Sequence, residues 1–328
     1  MIVISLDWAH KTDKTYFYNG VKATTKAPEA SEGLVIVCEN IPAKYTREFL
    51  GKGVKVLRVH QNLVAKYRES KGIEKSDEGD AKLIYEYYKE HPENFKEWHG
   101  DPKLKTMYNT FKELQKVRVA TSNRLWSDTD EFNKKVLKSM ELLEKEIIKG
   151  MEQELEKYKI WKWLEGIRGI SAATAAGLIA YIKDIKEFDS ISNLWSYFGF
   201  GVIEGKAPKM KSGETGGYNV KARALVAGII ADNFIKSKSP YKKIYDEEKT
   251  KQLAIGYKEG ELFAKYGKPY KKGDTKLKLL HAHNRAKRKM VKIFLSHLWL
   301  KWRELEGLPM TEPYAIAILK HKDKIQAP

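Results

Sequence analysis

Short apolar runs alternate with polar turns over the first hundred residues, a pattern typical of strands in a sheet. The runs predict strands at 3–8, 15–18, 21–25, 34–38 and 54–59. Asn19-Gly20 separates the second and third runs and is a strong hairpin signal. Apolar residues at helical spacing predict helices at 46–50 and 61–68 and a third that begins near Asp77.

The order of these elements points to a fold class. Three strands in a meander, followed by strands separated by helices, is the order of an RNase H-like fold. We therefore predict an α/β domain of this class over residues 1–98, followed by mainly helical regions.

Residues 99–160 change to a helical pattern. Leu104, Met107, Phe111 and Leu114 fall on one helical face, and a nearly heptad stripe continues at Leu137, Met140, Leu143, Ile147, Met151 and Leu155. The break between the two helices is expected at 127–130, which offers N-cap residues. Two long helices or a coiled-coil hairpin fit this pattern. They could serve as a stalk that binds a partner or a second copy, or form an ordinary intramolecular pair.

The remaining residues, 161–328, predict a helical domain. A Gly-x-x-Gly turn at Gly166 and Gly169 precedes an Ala-rich helix at 172–182 and resembles a helix-hairpin-helix turn, which presents backbone N–H groups to phosphates. Further helices are predicted at 220–234 and 281–302. A basic stretch with interleaved tyrosines lies between them at 236–278.

Charge narrows the choice of partners. The 328 residues contain 61 Lys and Arg against 43 Asp and Glu, a net charge of +18, which indicates a polyanion such as nucleic acid. One cysteine, Cys38, excludes a disulfide framework. No apolar stretch is long enough to span a bilayer, so we expect no membrane partner. The single cysteine favours a reducing, cytoplasmic compartment.

Four carboxylates carry the candidate chemistry. Asp7 lies within the first predicted strand, which we expect at the centre of the sheet, and Glu39 closes the fourth, which we expect beside it, so the two should be close. Asp77 and Asp80 stand three apart at the start of a helix and can face the same way. A buried charge needs a compensating partner, and Mg²⁺ or Mn²⁺ is such a partner. Four such groups can hold two ions about 4 Å apart for phosphodiester chemistry. Helix capping is the simpler explanation of Asp77 and Asp80, but it does not explain Asp7 or Glu39.

One alternative use of an aspartate in a first strand is nucleotide hydrolysis. Sugar kinases and actin-like ATPases also place such an aspartate there, but they need a glycine-rich phosphate turn soon after it. Trp8-Ala9-His10-Lys11 follows instead, which argues against this class.

The arrangement of acids resembles a known family. Asp7, Glu39 and then Asp77-x-x-Asp80-Ala81 are similar to the DEDD transposases of the IS-one-ten insertion-sequence family, which includes Piv-type DNA invertases. The second half of the chain resembles the C-terminal transposase signature of the same family. The similar stretches are 166–176, 184–188, 194–199, Ser212-Gly213 with Gly217 and 222–225, and the basic helix 281–289. The short spacing between Asp7 and Glu39 and the basic insertion at 235–280 depart from that pattern.

The resemblance implies an architecture and an activity. It implies a RuvC-like catalytic domain at 1–98, a coiled coil at 99–160 and a C-terminal transposase domain at 161–328. It implies that Asp7, Glu39, Asp77 and Asp80 bind Mg²⁺ or Mn²⁺ and that Ser212 is the nucleophile that joins covalently to a DNA phosphate. It also implies a homodimer or homotetramer that acts on DNA under the guidance of a structured non-coding bridge RNA, in association with the nucleoid of a prokaryote.

Several basic residues are predicted to contact phosphates, and two other functions remain as alternatives. The predicted phosphate contacts, each of which could equally be a solvated surface residue, are Lys206, Lys209, Lys211, Lys221, Arg223 and Arg285. The leading hypothesis is an RNA-guided DNA transposase or recombinase. A RuvC-like junction nuclease, in which water attacks instead of Ser212, and a non-catalytic nucleic-acid-binding protein that retains the fold are the alternatives.

Overall fold

A six-stranded mixed sheet and a larger set of helices make up the part of the chain that the computed structural model describes. That part is residues 2–9, 13–98, 102–127, 130–202, 208, 217–255 and 275–310, without the side chains of Asp77 and of residues 255 and 275–278. The chain divides into two compact units, 1–106 and 107–328. Each unit is described by itself.

The first unit contains all six strands of the sheet. They are β1 (Ile2–Ala9), β2 (Lys14–Tyr18), β3 (Ala23–Thr24), β4 (Leu34–Cys38), β5 (Lys55–Arg58) and β6 (Lys96–Glu97). The helices are α1 (Ala43–Gly51), α2 (Gln61–Lys71) and α3 (Asp77–Glu90). The five predicted strands and three predicted helices are therefore confirmed, although the third strand is shorter than predicted and β6 was not predicted.

The strands are ordered β3-β2-β1-β4-β5-β6 across the sheet. β1 is antiparallel to β2 and parallel to β4, and β4 is parallel to β5. The hairpin between β2 and β3 turns at Asn19-Gly20, where Gly20 has a φ of +91° and a Cβ atom would come within 2.7 Å of the Tyr85 hydroxyl. The predicted central position of β1, with β4 beside it, is confirmed.

Helices cover both faces of the sheet. All five residues of β4 are buried, as expected for a central parallel strand. Ile36 packs in a cluster that includes Phe49 of α1, whereas Val37 packs in a second cluster that includes Val64 of α2 and Leu83 of α3. The carboxyl ends of β1 and β4 are thereby fixed within a continuous core.

The start of α3 is attached to β1 by a buried hydrogen bond. The Ser5 hydroxyl, which is fully buried, donates to the Ala81 carbonyl at 2.5 Å. Ser76 caps the helix by accepting a hydrogen bond from the Gly79 N–H. The first turn of α3, which carries Asp80, is therefore held against the central strand.

The second unit is helical. Its helices are α4 (Pro102–Arg124), which begins in the first unit, α5 (Glu131–Leu155), α6 (Trp161–Glu165), α7 (Ala172–Ile182), α8 (Ile191–Tyr197), α9 (Val220–Ala224), α10 (Ala231–Lys236), α11 (Lys242–Ile255) and α12 (Thr275–Leu305). A π-helical segment, Leu225–Ile230, joins α9 to α10, so that 220–236 is one continuous helical stretch. The helices predicted for 172–182, 220–234 and 281–302 are confirmed.

The predicted helical hairpin of the middle region is an intramolecular pair. Arg118 of α4 forms an ion pair with Glu144 of α5 at 2.6 Å, and Asp130 caps α5, where the break was predicted. Met151 and Leu155 are buried, whereas Leu143 of the same stripe is half exposed. Whether this hairpin also binds a partner stays a prediction.

The Gly-x-x-Gly turn packs within the second unit. A Cβ atom at Gly169, whose φ is +100°, would come within 2.8 Å of the Ser237 hydroxyl and 3.0 Å of the Phe234 ring. The Ile170 N–H donates to the Ile167 carbonyl, and the Ser171 N–H donates to the Thr174 hydroxyl. Close packing against α10 is thus sufficient reason for a glycine at position 169.

No helix among the described residues is long and apolar enough to cross a membrane.

We predict that Ser5→Ala lowers the free energy of unfolding by about 1 kcal/mol, because it removes a buried hydrogen bond that fixes α3. Urea denaturation of the full chain measures the change. Ser70→Ala is the matched control, since the Ser70 hydroxyl bonds only within α2, to the Tyr67 carbonyl, and Ser70 is exposed. An equal loss in both variants would contradict the proposed attachment.

Candidate functional site

Asp7 and Glu39 stand at the same edge of the sheet. Leu6 of β1 is the register partner of Cys38 of β4, and the two strands are parallel. The residues that follow this pair, Asp7 and Glu39, are therefore neighbours at the carboxyl ends of adjacent strands. The sequence predicted this proximity, and the strand register confirms it.

Asp80 joins this region from the first turn of α3. Its side chain is buried, with 6% of the residue exposed, and one of its carboxylate oxygens accepts two hydrogen bonds from Arg68, from Nε at 3.1 Å and from Nη2 at 2.8 Å. Arg68 lies on α2, and no sequence pattern predicted its role. A salt bridge between two different helices has no characteristic sequence spacing by which it could be recognised.

Electrostatics indicate that the three carboxylates lie close together. The pKa of Glu39 is raised to about 7, chiefly by burial and also by the negative charges of Asp7 and Asp80, while Arg68 and Lys75 act in the opposite direction. Like charges held together disfavour ionisation of one of them. Carboxyl groups whose pKa is raised toward neutral pH are common at functional sites.

Cys38 beside this group is an inert thiol. Burial raises its pKa to about 12 despite the nearby Arg58 guanidinium. A thiolate is the reactive form of cysteine, so a raised pKa argues against a nucleophilic role. Cys38 is fully buried in a hydrophobic cluster, where it packs as a small hydrophobic residue.

The carboxylates of Asp7, Glu39 and Asp80 provide hard oxygen ligands, which Mg²⁺ and Mn²⁺ prefer. A divalent cation would also relieve the repulsion that raises the pKa of Glu39. Among the described side chains, however, no three acidic, histidine or cysteine groups are already placed to hold one ion. The Asp77 side chain lies outside the described ones, so the predicted set of four carboxylates is described only for Asp7, Glu39 and Asp80.

The other candidate residues fall into three groups. Four lie outside the described residues: Ser212, Lys206, Lys209 and Lys211. Lys221 is exposed on α9. Arg223 and Arg285 form hydrogen bonds within the second unit.

Arg223 and Arg285 have protein contacts as well as access to a cavity. Arg223 donates from Nη1 to the Gly199 carbonyl and lies over the Tyr218 ring at 5.1 Å, while Arg285 donates to the Gln252 side chain at 2.9 Å. Both line a cavity of about 450 Å³ next to α12. The prediction missed Lys292 of α12, whose amino group lies 3.8 Å from the centre of the Trp195 ring.

His283 has a structural role. Its Nδ1 lies 2.7 Å from the Tyr245 hydroxyl, and burial lowers the pKa of the imidazole. Packing within the second unit therefore accounts for His283.

Comparisons with known proteins give no family assignment: no protein-family model matches the chain, and no match is found among curated proteins.

We predict that the free energy of unfolding without divalent cations falls as the pH rises from about 4.5 to about 7. The folded pKa of Glu39 is raised, so the folded state holds a proton that the unfolded state has lost in this range. Glu39→Gln should reduce this fall by about 1 to 2 kcal/mol. This is less than the whole pKa shift of Glu39 would give, because solvent partly screens the interactions of its carboxylate.

Urea denaturation in EDTA across this pH range measures the effect. Glu69→Gln is the control, because Glu69 is an exposed glutamate on α2. Mg²⁺ added at pH 8 should stabilise the wild type more than Glu39→Gln. Identical pH profiles for the wild type and Glu39→Gln would contradict the clustering of the carboxylates.

Proposed function

We propose that this protein is an RNA-guided DNA transposase or recombinase that cuts and rejoins DNA by metal-dependent phosphoryl transfer. The observation that carries the proposal is the parallel register of β1 and β4, which places Asp7 and Glu39 side by side at the carboxyl ends of adjacent strands. The negative charges of Asp7 and Asp80 also contribute to the raised pKa of Glu39. Residues that are far apart in the sequence thus contribute acidic groups to one region of the first unit.

The sheet supports the finer fold class that this proposal requires. The order β3-β2-β1-β4-β5, with β2 antiparallel and β4 and β5 parallel to β1, is the order expected of an RNase H-like domain. Such a domain places its catalytic carboxylates at the end of the central strand and on neighbouring elements. The positions of Asp7, Glu39 and Asp80 agree with that expectation.

Asp7, Glu39, Asp77 and Asp80 would hold Mg²⁺ or Mn²⁺, which when bound would activate a hydroxyl group and stabilise the leaving oxygen. The protein's own contribution is to fix the carboxylates. The Ser5 hydroxyl holds the first turn of α3 to β1, and Arg68 fixes one oxygen of Asp80. Arg68 also limits the repulsion that gathered carboxylates create.

Ser212 is the proposed nucleophile, carried over from the family resemblance. Its oxygen would form a bond to a DNA phosphorus while the bond from that phosphorus to a deoxyribose oxygen breaks. The serine proton would pass to a base in the site, and the released deoxyribose oxygen would take up a proton. Rejoining reverses these bond changes with another strand end.

Hydrogen bonds hold the described residues on both sides of 203–216 within the second unit. Arg288 donates from Nη2 to the Phe200 and Gly201 carbonyls, each at 2.8 Å. On the other side, the Asn219 N–H donates to the Tyr197 carbonyl at 2.8 Å. The net charge of +18 suits the proposed DNA and bridge-RNA partners of a homodimer or homotetramer.

We predict a covalent protein–DNA adduct when the full chain is produced in cells together with the DNA that naturally flanks its gene, and then assayed with Mg²⁺. The adduct should be absent in Ser212→Ala, which removes the nucleophile, and in Asp7→Asn, which removes a metal ligand. Labelled DNA that stays with the protein on a denaturing gel measures it. Ser139→Ala, a change at an exposed serine of α5, is the control and should keep the adduct.

The alternatives give different outcomes in the same assay. DNA cleavage that persists in Ser212→Ala but stops in Asp7→Asn would indicate a nuclease in which water attacks. Nucleic-acid binding without cleavage in any variant would indicate a non-catalytic binding protein. Sequencing of the co-purified nucleic acid tests the guide: one structured RNA transcribed beside the gene is expected.

A further inference from the structure

A groove lined with cations runs beside α12 in the second unit. Arg223, Arg285 and Arg288 line a cavity of about 450 Å³ together with Phe200. Arg285 and Arg288 also line a second cavity of about 360 Å³, together with Lys292 and Trp195. Because the two cavities share these arginines, we treat them as one feature and call it the basic groove.

Three cations of the basic groove form no ion pair with any carboxylate in the described part of the chain. Arg288 bonds to the Phe200 and Gly201 carbonyls, Arg223 bonds to the Gly199 carbonyl, and Lys292 lies over the Trp195 ring. Other cations of α12 are neutralised: Lys287 pairs with Asp232 at 2.6 Å, and Lys289 pairs with Glu248 at 2.8 Å. Of the cations of α12 that line the groove, Lys287 and Lys289 are therefore neutralised, whereas Arg288 and Lys292 have no carboxylate partner among the described residues.

These three cations also repel one another. Burial lowers the pKa of Arg288, and the Arg223 guanidinium lowers it further. The pKa of Lys292 is lowered to about 8, chiefly by burial and also by the positive charge of Arg288. A set of partly buried like charges destabilises the protein unless an anion binds there.

The donors that remain suit a phosphate group. The carbonyl bonds use Nη2 of Arg288 and Nη1 of Arg223, and a guanidinium has five N–H donors in a planar fork. Such groups recognise phosphate through paired hydrogen bonds. The rings of Trp195, Phe200 and Tyr218 hold the cations in place by cation–π contacts.

We propose that the basic groove binds backbone phosphates of a nucleic-acid strand through Arg223, Arg288 and Lys292. This inference deepens the proposed function by naming residues that hold the nucleic acid. It uses none of the acidic groups, so it can hold or fail separately from the chemistry. Contacts to phosphates position a strand without reading its sequence.

The test uses two substitutions at Lys292 in the full chain. Lys292→Met removes a cation whose burial is unfavourable, and Lys292→Glu places an anion beside Arg288. Both should melt at a temperature equal to or higher than the wild type when no nucleic acid is present. A residue that served only the fold would give the opposite result, a lower melting temperature.

Binding of labelled 20-nucleotide DNA and RNA strands is then measured over a range of salt concentrations. Lys292→Met should weaken binding about 3- to 10-fold and reduce the salt slope by about one, and Lys292→Glu should weaken it more. Lys301→Met is the matched control. It removes the same charge from the same helix, but Lys301 is paired with Glu304 at 3.1 Å, and its binding should match the wild type.

The remaining results decide between sources of the phosphate. A loss confined to DNA or to RNA identifies the strand that the groove holds, and a loss with both supports a shared backbone contact. If inorganic phosphate raises the melting temperature of the wild type but strand binding is unchanged in both Lys292 variants, the groove binds a small anion and the proposal fails. Equal losses in Lys292→Met and Lys301→Met would also overturn it, because the effect would then be one of net charge.

Discussion

The parallel pairing of β1 with β4 is the constraint on which the acidic region depends. This register sets Leu6 opposite Cys38 and so brings Asp7 and Glu39 side by side. Because β4 is buried throughout and Leu6 of β1 packs in the same core cluster as Cys38, the two strands cannot move apart to separate the charges. The hydrophobic effect therefore supplies the free energy that holds two carboxylates together against their repulsion.

Each unit gathers charges of one sign and compensates them only in part. In the first unit, Arg68 offsets Asp80, yet the pKa of Glu39 is still raised to about 7. In the second unit, Asp232 and Glu248 offset two cations of α12 while Arg223, Arg288 and Lys292 keep their charge toward the groove. Uncompensated like charges lower stability, so their presence in both units is better explained by binding than by folding. Divalent cations and nucleic-acid phosphates have the charges that would relieve them.

The sequence was most informative where a residue type and its local pattern sufficed. β4 was predicted at its observed bounds because five consecutive apolar residues between turns can be buried on both faces of a sheet. The hairpin at Asn19-Gly20 was predicted because few dipeptides turn as tightly. β6 was missed because its two residues are too few to show a hydrophobic pattern. It is recognisable as a strand from its pairing with β5. The roles of Arg68 and Lys292 were missed because lysines and arginines are common on the surface of a basic protein.

The sequence alone determined five of the six strands, most of the helices, the excess of positive charge and the acidic residues worth testing, since hydrophobic periodicity and charge are local properties of the chain. Only the tertiary structure decided which of these charges meet. The strand register brought Asp7 to Glu39, the approach of α2 to α3 brought Arg68 to Asp80, and the packing of α12 set Arg288 against the carbonyls of Phe200 and Gly201. Such contacts join residues distant in sequence, and their energies depend on burial, which no local pattern encodes.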